Sequence, residues 1–230
     1  MYWREPPAVD RYHVPDEVVD VAFSIACAQL PLDHAHALFE AVAAALPWLA
    51  DEPAAGIHPI HGAASGNGWY RPDATRGDVL NLAKRTRLVL RLPRERVQDA
   101  AALSGNTLLV DGHAMSVGAS RVRALSTQTT LFARFVVDAA QRGEDAFAAE
   151  LVDELRDCGI TVHKLLCGRE HSISTPAKPL RTRSVMLADL DVAHSIRLQQ
   201  LGAGPGRQLG CGLFIPHKDI GAPQGGDDAR

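Results

Sequence analysis

The stretch "LGAGPGRQLGCGLFIPHK", Leu201 to Lys218, limits the possible fold more than any other part of this 230-residue chain. It holds five glycines (Gly202, Gly204, Gly206, Gly210 and Gly212) directly before the apolar "LFIP". Glycine weakens any helix or strand it enters, so such a density marks backbone that turns where a Cβ is forbidden or approaches something closely. A dinucleotide fingerprint needs G-x-G-x-x-G between a strand and a helix, with an acidic residue about 20 positions on. Here the spacing is G-x-G-x-G, a short apolar run follows, and no second βαβ unit fits before Arg230. A P-loop needs G-K-[ST], and the sequence has no such triplet. Nucleotide-cofactor loops are therefore excluded. The local order is helix, glycine loop, strand.

The rest of the chain supplies the elements around that loop. "VVDVAFSIACAQL", Val18 to Leu30, is β-branched and apolar and reads as a buried strand. "PLDHAHALFEAVAAALPWL" reads as a helix, with Pro31 and Asp33 at its start and Pro47 as a stop. "GIHPIHGA" and "TRLVLRL" are strands, "PRERVQDAAALSG" is a helix, and "TLLVDGHAMSVGASRV" is a hairpin turning on Asp111-Gly112. The second half repeats the order. "LFARFVVDA" is a strand, "EDAFAAELVDELRDCG" a helix closed by Gly159, and "TVHKLLCGREHSIS" and "RTRSVMLADL" are strands. "DVAHSIRLQQLG" is a helix and "CGLFIPH" the last strand. Two β-α-β-β-α-β units predict an α+β protein of two tandem ferredoxin-like modules, over residues 18–124 and 125–218. Residues 219–230 have the composition of a solvated, flexible tail.

A hydrophobic content of 46% suffices for real cores. No apolar run approaches the roughly 18 residues of a membrane helix, and the start lacks the apolar core of a signal peptide. Cys27, Cys158, Cys167 and Cys211 are scattered without a C-x-x-C, which predicts reduced thiols in a cytoplasmic protein and no zinc knuckle. The net charge of −3 disfavours a general polyanion binder. Yet Thr161 to Lys218 carries eight Lys or Arg against Glu170, Asp189 and Asp191, and "KRTRLVLRLPRER" carries six against one Glu. Local basic surface on an acidic protein fits selective capture of a structured anion.

Two tandem ferredoxin-like units with a glycine-rich loop before the last strand resemble the RAMP proteins of CRISPR systems. Within them, the chain looks like the CRISPR repeat-processing endoribonuclease, in the subtype first named for myxobacterial loci. "VDVAFSIACAQLPLDHAHAL", "GIHPIHGAASGNGW", "TLFARFVVDA", "KLLCGRE" and "LGAGPGRQLGCGLFIPHK" carry the likeness from about residue 18 to 218. The resemblance implies binding of CRISPR repeat RNA and cleavage of precursor CRISPR RNA into guide units. Subunits of a CRISPR effector complex are the protein partners it implies. In that family the glycine loop contacts the RNA backbone. This implies RNA-binding roles for Gly202, Gly204, Gly206, Gly210 and Gly212, with phosphate contacts from Arg207 and Lys218 and a basic strip of Lys164, Arg169, Arg181 and Arg183. Successive glycine N–H groups can form an anion-binding concavity, and arginine completes it.

Cleavage of this kind expects no metal and no cofactor. A base takes the 2′-OH proton, the oxygen attacks the adjacent phosphate in line, and an acid protonates the leaving 5′-oxygen. The family's usual base is a histidine in or near the first helix, and the candidates are His34, His36, His58 and His61. On a helical wheel Leu38, Val42, Ala45 and Leu49 form the buried stripe; His34 lies at its edge and His36 shares the polar face with Glu40. His34 is the first choice, with His36 and His58 open beside it. In "IHPIH" the two imidazoles point to opposite faces of a strand, so at most one meets RNA, and as H-x-x-H they make a weak metal motif. None of the ten histidines has Ser or Thr two positions on, which disfavours the 2H phosphoesterases with their paired HxTx motifs. Aromatics at 5% disfavour an RRM-type binder, which needs stacking residues on two central strands. The competing reading is a non-catalytic RAMP subunit that binds guide RNA in an effector complex.

Overall fold

The computed structural model describes residues 12–61 and 79–217. Eleven strands and four α-helices are assigned among them. The N-terminal sheet has the order β3-β5-β1-β7-β6, all neighbours antiparallel. Its strands are β1 (Val18–Ala26), β3 (Gly56–Ile57), β5 (Arg87–Pro93), β6 (Thr107–Val110) and β7 (His113–Arg123). Without the added edge strand β6 this is the ferredoxin-like order. The C-terminal sheet shows that order without addition, β11-β8-β10-β9. It comprises β8 (Leu131–Val137), β9 (Lys164–Ile173), β10 (Leu180–Ala188) and β11 (Ile215–Pro216). The chain is thus α+β, with two tandem ferredoxin-like modules.

Alternation along the strands places one face of each sheet on helices. In the first module Val19, Val21, Phe23, Leu88, Leu90 and Leu92 pack under α1 (Ala35–Ala45). The buried stripe of α1 is Leu38 and Val42, extended by Leu46 and Leu49 beyond its end. In the second module Leu131, Ala133, Val185 and Leu187 meet α3 (Glu144–Asp157) and α4 (Val192–Leu201). The Asp111-Gly112 turn has φ of 46° and 78°, the positive pair a two-residue hairpin loop requires.

Four elements differ from the sequence expectation, each for a local reason. Val18–Leu30 is broken at Cys27, and β2 (Gln29–Pro31) pairs instead with β4 (Val79–Asn81) in a separate two-stranded sheet. Among the described residues of "GIHPIHGA", up to His61, Gly56–Ile57 is strand, because Pro59 has no N–H to continue the ladder. "PRERVQDAAALSG" is a succession of short turns, with α2 limited to Val97–Ala100 between 3₁₀ segments. The glycines shorten the last strand to Ile215–Pro216. The tail 219–230 and Lys218 lie outside the described residues.

Candidate active site

The two modules are joined through a charged side chain that strand alternation turns away from the core. Arg91 on β5 is only 1% exposed. Its Nε and Nη2 donate to Asp20 Oδ1 and Oδ2 at 2.8 and 3.0 Å. Its Nη1 crosses into the second module and donates to the carbonyls of Phe214 and Gln199 at 2.8 and 3.1 Å. His58 Nε2 stands 3.3 Å from Asp20 Oδ1. Burial works against the Asp20 charge, but the hydrogen bond with His58 and the adjoining Arg91 hold its carboxyl well below the usual carboxylate range.

Beside this clamp a cleft of about 300 Å³ opens between the modules. The first module contributes His58, His61 and Arg123, and the second contributes Phe132 and Arg134. Arg123 reaches the cleft because β7 runs on far enough to pair it with Asp20 on β1. Arg134 is placed by a β-bulge, in which Arg134 and Phe135 together face Ser184 alone. Among the described residues neither Arg123 nor Arg134 is ion-paired.

Arg134 is the electrostatic centre of a group of imidazoles from both modules. His61, exposed at the rim, is pushed down to about 4 by the protein around its ring, then by Arg134, His34 and His58. His171 on β9 is lowered by burial and then by Arg134 and Arg169, and its ring meets Phe135 edge-on at 5.4 Å. His34 is lowered by burial, only partly offset by the Pro31 carbonyl 2.8 Å from Nδ1. With Nδ1–H donating to that carbonyl, Nε2 is the basic nitrogen. These rings are neutral near pH 7 and able to accept protons.

Of the three histidines expected to be catalytic, only His58 lines the cleft. His34 is 4% exposed, just before α1, and reaches the cleft only as a charge that helps lower His61. His36 lies outside the group, 3.4 Å from Glu40 one turn on.

The expected basic strip is divided. Arg183 is buried over the Phe147 ring and paired with Asp138 at 2.9 Å and Glu170 at 2.5 Å. Its surface role is corrected to an internal one. Lys164 pairs with Asp189 at 2.7 Å, Arg181 opens on a small cavity beside Asp138 and Glu170, and Arg169 stands near His171. The Lys84–Arg96 cluster is likewise dispersed: Arg91 is the clamp, Arg94 pairs with Asp16, and Arg96 pairs with Glu52 and Asp99. Arg123 and Arg134 escape sequence reasoning, although Arg134 is the lone charge in "LFARFVV", a signal that it faces away from the core.

The glycine loop is also turned inward. Gly202, Ala203, Gly210, Cys211 and Gly212 donate their N–H groups to carbonyls of the protein itself, and Gly204 donates to Glu154. Arg207 is buried, with its guanidinium on the carbonyls of Leu201 and, at 3.0 Å, Ala54. Burial and then Arg91 push it down to about 10. The expectation of a phosphate contact from Arg207 gives way to a buttress between the loop and the first module. Gly210 seats on Pro59, where a Cβ would stand 2.7 Å from its ring, and only Gly204 and Gly206 are partly open. At Gly212 (φ +66°) a Cβ would fall 2.0 Å from the Ala203 oxygen, whereas at Gly204 (φ +67°) it meets nothing within 4 Å. Gly212→Ala is therefore expected to destabilise by about 3 kcal/mol or more, through overpacking and left-handed strain together. Gly204→Ala carries the strain alone and should cost about 1 kcal/mol. Urea unfolding of both variants checks the difference.

The lowered imidazoles also set an acid limit. The unfolded chain takes up protons near 6.5, the folded one only at lower pH, so stability is complete above about 6.5 and falls as pH drops toward 4. The melting temperature should decline steadily from pH 7 to 5; a rise would contradict the buried neutral rings.

Comparison with known proteins agrees with this architecture. The family described as Cas6 Crispr matches residues 19–219. The CRISPR-associated endonuclease Cas6 of Myxococcus xanthus (strain DK1622) is 32% identical over 198 residues, covering 86% of this chain and 81% of that protein. A solved structure of a CRISPR-associated protein Cas6 superposes with a TM-score of 0.61 at 10% identity, covering 88% of this chain and all of that one. A RAMP protein described as binding different RNA substrates gives 0.59 at 12% identity, over 86% of this chain and 98% of that one. These structures share the fold, and the family match and the bacterial relative span most of the sequence: the chain belongs to the Cas6 family of CRISPR proteins.

Proposed function

We propose that this Cas6 endoribonuclease binds CRISPR repeat RNA and cuts precursor CRISPR RNA without metal, leaving 5′-OH and 2′,3′-cyclic phosphate ends. The observation that carries the chemistry is Arg134 beside neutral imidazoles, facing Arg123 across an open cleft. An imidazole of the His34–His61 pair takes the 2′-OH proton as the oxygen attacks the neighbouring phosphorus. The P–O5′ bond breaks, and the leaving oxygen takes up the proton from the imidazolium that the first transfer creates. Arg134 and Arg123 meet the charge developing on the non-bridging oxygens. His58, held by Asp20, fixes the cleft wall. Of the expected RNA surface, Arg169 stands beside His171 and is exposed, and the bound repeat extends over it.

The test is incubation of the purified protein with labelled repeat RNA in excess EDTA. One discrete cut, blocked by a 2′-deoxy sugar at the scissile position, is expected. Cleavage that requires Mg²⁺ or Mn²⁺ overturns the mechanism, and binding without cleavage favours a guide-RNA scaffold.

A further inference from the structure

The cleft has two chemically different halves, and proton transfer and phosphate binding use only one. Its rim carries the cationic Arg123 and Arg134, with the neutral ring of His61 beside them. Its remaining wall is apolar, built from Phe132, Val89, Leu213 and Ile215. Val89 stands between Leu88 and Leu90, which fill the first core, so strand alternation turns it to the cleft face. Phe132 likewise alternates with the buried Leu131 and Ala133 and faces the cleft, with its ring 5.9 Å from that of His217. Asp20 supplies a carboxylate to the same wall, the single acidic group among the described lining residues. Its oxygens already accept three hydrogen bonds, two from Arg91 and one from His58, of the roughly four a carboxylate can accept.

We propose that the apolar half of this cleft is a nucleobase subsite, which takes one unstacked base adjoining the scissile phosphate and directs its exocyclic amine toward Asp20. The inference rests on the RNA-cleaving reading of the rim. An aromatic face beside guanidinium groups is the combination single-stranded nucleotides require: the base stacks and the flanking phosphates pair with arginine. About 300 Å³ holds one base with its phosphate and is far too small for a duplex, so the nucleotide must leave the stack to enter. Unstacking also turns the 2′-oxygen and phosphorus toward an in-line arrangement at the rim. Adenine, cytosine and guanine carry an exocyclic amine for the remaining Asp20 acceptor site; uracil carries none.

The experiment is an abasic scan with the wild-type protein, using repeat RNAs made uncleavable by a 2′-deoxy sugar and stripped of one base at a time around the cut. One position should weaken binding by about 5- to 100-fold, the range of a lost base–aromatic stack. Phe132→Ala should weaken binding of intact RNA by a similar factor and add little to the loss at that abasic position. Phe132→Leu, which keeps the apolar volume, should fall between wild type and alanine. Uracil at that position should bind more weakly than cytosine. Full additivity of Phe132→Ala with every abasic position, or uracil equal to cytosine, overturns the subsite while cleavage in EDTA leaves the nuclease reading intact. Failure to bind or cut any repeat RNA overturns both.

Discussion

His61→Ala is expected to slow single-turnover cleavage of repeat RNA by about 10²–10⁴, the usual loss when a positioned proton-transfer group is removed. The affinity should change little, because a neutral ring contributes no ion pair to phosphate. His34→Ala should cause a comparable loss, since its ring adjoins His61 and its Nδ1 is already engaged by Pro31. His36→Ala should cut at the wild-type rate, as its ring pairs with Glu40 on the solvent side of α1. With His61 as the base, the acid limb of the rate profile lies near its lowered value of about 4, not near 6.5. The imidazole stays unprotonated, and so competent, down to that pH. Normal rates from both His34→Ala and His61→Ala would remove the imidazole pair from the mechanism. A dead His58→Ala beside them would transfer the role to the ring held by Asp20.

Arg91→Met should cost about 3–5 kcal/mol of stability, the range for breaking one member of a buried ion pair. The methionine fills much of the volume but leaves the Asp20 carboxylate without its bidentate partner and two backbone carbonyls of the second module without donors. Those carbonyls, on Gln199 and Phe214, flank the glycine loop, so the module junction should loosen as well. Adding Asp20→Leu removes the stranded charge and should recover most of the loss, because two apolar residues can replace a buried pair at little net cost. Denaturant unfolding of the two single variants and the double variant checks this. An Arg91→Met protein as stable as wild type would reduce the clamp to an ordinary contact.

The local rules of the sequence determined the elements and their order. Alternation in "VVDVAFS" and "TRLVLRL", the Asp111-Gly112 turn, and the 3.6-residue stripe through Leu38 and Val42 are all short-range patterns, and tertiary structure left them in place. The density of glycine between Leu201 and Phe214 was legible too, and with the tandem β-α-β-β-α-β order it was enough for the family. What each charged residue does was decided only in three dimensions. Arg91, Arg183 and Arg207 are indistinguishable in sequence from surface cations, yet each is buried because carboxylates or carbonyls distant in the chain converge on it. Arg123 and Arg134 stand 11 positions apart in the sequence, in different modules, and share a cleft only because the two sheets face each other. His61 gains its lowered protonation point from the protein around its ring, then from Arg134 and His34, none of which a linear reading can bring together. Strand and helix follow from neighbours along the chain. Burial, pairing and proton affinity follow from neighbours across it.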